Sequence, residues 1–86
     1  MLDLEECIKS AKECMLEYIG VKIQMEGFRE PEVIINPFNN FDAKLEYYKK
    51  AYNDNLILKT FNGIKIIDFT AGDDFNEIEE YLIRER

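Results

Sequence analysis

Between residues 3 and 19 the apolar positions Leu4, Cys7, Ile8, Ala11, Cys14, Met15 and Tyr18 recur at intervals of three and four. That spacing lays one stripe along a helix. It predicts a first helix from Asp3 to Tyr18 or Ile19, with Asp3 as its cap and Glu6 completing a capping box. Gly20 is expected to end it, because glycine takes the left-handed C′ conformation without steric cost. The period then changes. Val21, Ile23 and Met25 alternate with Lys22, Gln24 and Glu26, which predicts a half-buried strand over 21–26. Gly27 to Pro31 reads as a turn. Glu32 to Asn36, bounded by Pro31 and Pro37, reads as a second strand, and its unbroken Val33-Ile34-Ile35 run asks for cover on both faces.

Phe41, Leu45, Tyr48 and Tyr52 predict a second helix from Phe41 to Asn53, ended by the turn chemistry of Asn53-Asp54-Asn55. Leu56 to Phe61 and Ile64 to Thr70 flank Asn62-Gly63, a strong two-residue hairpin signal. Such a turn sets Phe61 opposite Ile64, and the pairs it then makes, Leu58 with Ile67 and Leu56 with Phe69, share one apolar face. Ile57, Lys59, Ile66 and Asp68 then share the other face, where Lys59 and Asp68 are diagonal neighbours able to pair. A last helix begins at Asp73 or Asp74, with Glu77 completing a capping box on Asp74. Phe75, Ile78, Tyr81 and Leu82 form its stripe, and Arg84 and Arg86 stand where cations suit a helix C-terminus. The expected order is α-β-β-α-β-β-α. It describes a single α+β domain over residues 1–86, with a four-stranded, mainly antiparallel sheet packed against helices. A core this small makes a homodimer one expected state.

Composition narrows the chemistry. The 86 residues include no His and no Trp. That removes histidine general-base catalysis, His-ligated zinc and His-dependent nucleophiles. The four glycines fall in no phosphate-loop spacing. No stretch is long and apolar enough to span a membrane, and the start of the chain is acidic where a signal peptide is basic. A cytoplasmic address is expected. Cys7 and Cys14, two helical turns apart, would lie about 10.5 Å from each other along the axis, too far for a disulfide. They read as small buried hydrophobes. No enzyme activity, cofactor or resident metal is expected. Asp68, Asp73 and Asp74 are the one carboxylate group worth weighing as a magnesium site, but Asp73 and Asp74 are better explained as helix-start residues.

Charge changes the picture further. Eighteen acids against eleven bases leave a net charge of -7. Residues 1–20 carry a net -3 and residues 73–86 a net -4, while the middle is neutral. The acidity therefore belongs to the two terminal helices. If both flank one surface, Glu5, Glu6, Glu13 and Glu17 join Asp73, Asp74, Glu77, Glu79 and Glu80 in one carboxylate row. That row would dock on a basic, nucleic-acid-binding host protein, and the nine residues are the expected partner site. The alternative is a structural or adaptor protein with an apolar self-association or partner surface, formed by the hairpin residues Ile57 and Ile66 or by the loop residues Phe28, Phe38 and Phe41. Tyr47, Lys49 and Lys50, with Tyr48 and Lys44, are the one basic-aromatic cluster and a third reading, a weak single-strand binder. Direct nucleic-acid contact is disfavoured by the net charge.

The run Phe41-Asp42-Ala43-Lys44-Leu45-Glu46-Tyr47-Tyr48-Lys49-Lys50-Ala51-Tyr52-Asn53, followed by Leu56 to Phe69 with its Asn62-Gly63 turn, resembles short acidic proteins encoded by phages and prophages of Gram-positive bacteria. The likeness covers about half the chain and brings no catalytic residue. It implies a small non-enzymatic inhibitor or modulator of a host protein. Anti-CRISPR proteins, which present carboxylates where DNA phosphates would dock, are one such group.

Overall fold

The computed structural model describes residues 1–84; Glu85 and Arg86, including the cation expected at position 86, lie outside the described residues. The chain runs α1 (Leu2–Glu13), β1 (Tyr18–Met25), β2 (Glu32–Pro37), a 3-10 turn (Phe38–Asn40), α2 (Phe41–Ala51), β3 (Ile64–Gly72) and α3 (Phe75–Ile83). The three strands form one antiparallel sheet in the order β2-β1-β3. The fold is α+β as expected, but the sheet has three strands rather than four.

Helix α1 stops well before Gly20. Its cap is Met1, not Asp3, which sits in the first turn. At its far end Met15 takes a φ of 56°. The Met15 amide donates to the Lys12 carbonyl at 3.1 Å and the Leu16 amide to the Ala11 carbonyl at 2.9 Å. This paired closure is the usual one for a left-handed C′ residue, here carried by a methionine instead of glycine. Tyr18, Ile19 and Gly20 are thereby released to β1. Cys14 ends up exposed and Cys7 half-buried, so the pair is not the buried couple expected. Burial raises the Cys7 thiol above its ordinary pKa.

The sheet separates two unequal cores. Opposed residues of an antiparallel pair share a face. Ile19, Val21, Ile23 and Met25 therefore lie with Ile34 and with Ile64, Ile66, Phe69 and Ala71. That face meets Leu4, Ile8 and Ala11 of α1 and Phe41 and Tyr48 of α2 in the main cluster. Tyr18, Gly20 and Lys22 point the other way, with Val33 and Ile35 of β2 and Thr70 and Gly72 of β3. There α3 lies on the sheet through two buried side chains, Ile78 and Leu82. Gly20 makes this approach possible. A Cβ at that position would stand 2.7 Å from Ile78 Cγ2 and 2.8 Å from Leu82 Cδ1.

The expected hairpin does not form in its predicted register. Segment 56–61 makes only isolated bridges, Tyr52 to Leu58 and Ile57 to Lys65. The Leu58 amide donates to Ile64 and the Ile66 amide to Leu56, both at 2.9 Å. Leu56 and Leu58 thus sit beside Ile66 and Ile64, three residues out of step with a two-residue turn at Asn62-Gly63. The cause is parity. A shift in the β1–β3 register between Lys22 and Ile23 leaves Ile67 as an extra residue. The bulge lets Ile64 and Ile66 face the same core as Phe69 and Ala71. Ile66, expected on the mixed face, is therefore buried, and Ile67, expected on the greasy face, is 47% exposed.

Candidate interaction surface

The two acidic helices lie on opposite faces of the sheet, α1 with the main cluster and α3 against Gly20. The nine carboxylates expected to form one row are accordingly split. Glu5 is largely covered, 3.4 Å from Lys9 Nζ and 3.9 Å from Lys49 Nζ. Glu6 and Glu13 are exposed on α1. Asp73 accepts the Glu17 backbone N–H at 3.0 Å, so these two meet at one end of the sheet. Asp74 caps α3, accepting from Asn76 and Glu77 amides at 2.9 and 3.3 Å. Asp68 accepts the Phe69 amide at 2.9 Å. Each of the three aspartates weighed as a cation site therefore has a backbone donor. No group of three or more His, Cys, Asp or Glu among the described residues is placed to hold a metal ion.

Helix α3 has two contrasting flanks. Asp74, Glu77, Glu80, Tyr81 and Arg84 border a cleft of about 340 Å³ over Thr70–Gly72 of β3. Arg84 rests over the Tyr81 ring. The flank toward β2 is apolar. The Phe75 ring meets Tyr18 edge-on at 5.8 Å, and Tyr18 lies opposite Pro37. At the other end Ile83 shares a groove with Val33 and Pro31, rimmed by Lys22 and Glu30. Phe75 and Ile83 are 43% and 59% exposed. The helical spacing sets one carboxylate, Glu79, between them.

This strip borders an unprotected sheet edge. The Phe38 amide donates to the Glu17 carbonyl at 2.8 Å. Antiparallel bonding alternates, so Glu32, Ile34 and Asn36 turn their backbone groups to β1. Val33 and Ile35 turn theirs outward, and no bond among the described residues takes their amides. The next outward positions are Pro31 and Pro37, which have no N–H to offer. The opposite edge, on β3, is managed differently. Leu56 and Leu58 bond its first part, the bulge at Ile67 twists it, and the Asp68 carboxylate takes the outward Phe69 amide, so that Ala71 is left with an isolated outward amide rather than a run of them. These are ordinary ways of blunting an edge.

The remaining candidates are mostly structural. Tyr48 is buried, and desolvation, aided by Tyr52 and Tyr47, pushes its phenol up to about 12. Lys44 lies over Tyr47 and Lys49 faces Glu5, which leaves Lys50 and half of Tyr47 open. Phe41 is core, packed on Phe38, while Phe28 is 62% exposed. No helix among the described residues is long and apolar enough to cross a membrane. No family model, curated protein or solved structure matches the chain. Sequence reasoning did not single out Val33 and Ile35 as outward donors; the bracketing prolines were visible, but the side on which β2 pairs was not.

Proposed function

We propose that the protein is a non-catalytic interaction module that binds a protein partner by strand addition to β2. The observation that carries this reading is the contrast between the two edges. One is broken up by neighbouring chain, bulge and side-chain cap, which leaves the Ala71 amide isolated near its end. The other is left with two free donor–acceptor residues, Val33 and Ile35, beside the apolar strip of Phe75 and Ile83. Main-chain bonds from such an edge supply affinity, and the side chains alongside supply selectivity. The test is capture of proteins from a lysate by the wild type and by Val33→Pro, which removes one outward donor at a position where an edge strand tolerates proline. Loss of the captured set in the variant, with the fold intact by circular dichroism, supports strand addition. An unchanged set refutes it.

A second reading is favoured by the acidic flank of α3. Asp74, Glu77 and Glu80 border one cleft, with Arg84 the single base beside them among the described residues. This flank would dock on a basic, nucleic-acid-binding host protein, as the likeness to phage inhibitors implies. Capture by this route weakens steeply with salt and fails in Glu77→Lys/Glu80→Lys while surviving Val33→Pro.

A further inference from the structure

We infer that the strand received by β2 is β2 of a second copy of this chain, paired antiparallel about a two-fold axis at Ile34. This rests on the strand-addition reading and names its occupant. The edge is self-complementary. With Ile34 opposite its own copy, Val33 stands opposite Ile35 of the second chain and Ile35 opposite its Val33. All four are outward-facing residues, so each pair exchanges two backbone bonds, four in total. Directly opposed residues then lie on the same face, as an antiparallel sheet requires, and Val33 and Ile35 of both copies continue the apolar strip that Phe75 and Ile83 border.

Charge and geometry at the edge agree with this register. Glu32 is the one ionised side chain in β2, and it falls opposite Asn36 of the second copy rather than opposite another acid. Pro31 and Pro37 close the window on both sides, because a longer incoming strand finds no amide at either position. The pairing also terminates itself. The two-fold contact uses the β2 edge of both copies, so two copies close into a six-stranded sheet and cannot add a third by the same contact.

The test is mass and amide protection together. Sedimentation equilibrium on the wild type should give twice the 10.2 kDa chain mass at high concentration. Hydrogen exchange at the Val33 and Ile35 amides should slow as concentration rises. Because each chain carries a charge of -7, added salt should tighten the dimer, the reverse of docking to a basic partner. Val33→Pro removes two of the four bonds and should raise the dissociation constant about 30-fold. Val33→Lys, which sets a cation beside the apolar strip, should also give a monomer and guards against a folding defect in the proline variant. A monomer at every concentration with open Val33 and Ile35 amides overturns the second-copy inference, while loss of lysate capture in Val33→Pro would still uphold strand addition by another protein. A dimer that survives both substitutions overturns the inference by placing self-association elsewhere. Unchanged capture in Val33→Pro together with a monomer at every concentration overturns both.

Discussion

Replacing Gly20 by alanine probes how α3 is held. The new methyl would meet Ile78 Cγ2 at 2.7 Å and Leu82 Cδ1 at 2.8 Å, with Ile35 Cγ1 at 3.4 Å. Ordinary carbon contacts need about 3.5–4.0 Å, so α3 must lift by most of an ångström or its two anchors must leave their rotamers. Overpacking of this kind costs about 1–3 kcal/mol. In a domain of this size 2 kcal/mol lowers the melting temperature by about 8–16 °C. The loss should be local as well as global, because Ile78 and Leu82 are the only side chains that α3 buries. Amides of α3 should therefore lose exchange protection before those of α1 and α2. A double-mutant cycle in urea isolates the contact. In a Leu82→Ala background the added methyl has room on one side, so Gly20→Ala should cost about 1 kcal/mol less than in the wild type. Strict additivity, or a Gly20→Ala protein as stable as the parent, would refute the close-contact account.

Three further expectations follow from the same geometry. Met15→Gly should stabilise the domain by about 0.5–1 kcal/mol, since residue 15 has a positive φ and its side chain is 76% exposed; thermal melting reads the gain. Asp74→Ala removes the two amide bonds that start α3 and should cost about 1 kcal/mol in urea unfolding. Tyr48 keeps its proton in the folded chain up to about pH 12, whereas an unfolded tyrosine ionises near 10. Its contribution is complete below pH 10 and is lost as pH climbs toward 12, because the unfolded state then holds fewer protons. Stability followed by circular dichroism should fall over that window, and Tyr48→Phe should flatten the fall.

Elements with long single-period patterns were legible in the sequence. The stripe of Phe41, Leu45 and Tyr48 fixes α2 to within two residues of its observed end, and Asp74 is the cap that its position implied. Failures came where one residue had two uses. Tyr18 continues the helical spacing of α1 and also begins the alternation of β1; the left-handed turn at Met15 decides between them, and methionine gives no sign of it. Gly20 reads as a stop because glycine permits positive φ, yet its use is the absence of a side chain beneath α3. Asn62-Gly63 carries a hairpin signature, but the 56–58 segment meets β3 three residues out of that register, on the edge away from β1. The acidic helices illustrate a different limit. Their charge is plain in composition, whereas the side of the sheet each covers depends on topology.

The extra residue at Ile67 is a change of phase within a single strand. Upstream of it β3 keeps step with the 56–58 segment; downstream it keeps step with α1 and the far half of β1. Neither neighbour could be satisfied by an uninterrupted alternation, because each needs its own apolar pair on the same side. Shortening the strand by that one position would turn half of its side chains over at a stroke, and no exchange of residue types at a single site could restore them. Length, more than composition, is therefore what this part of the chain has to preserve.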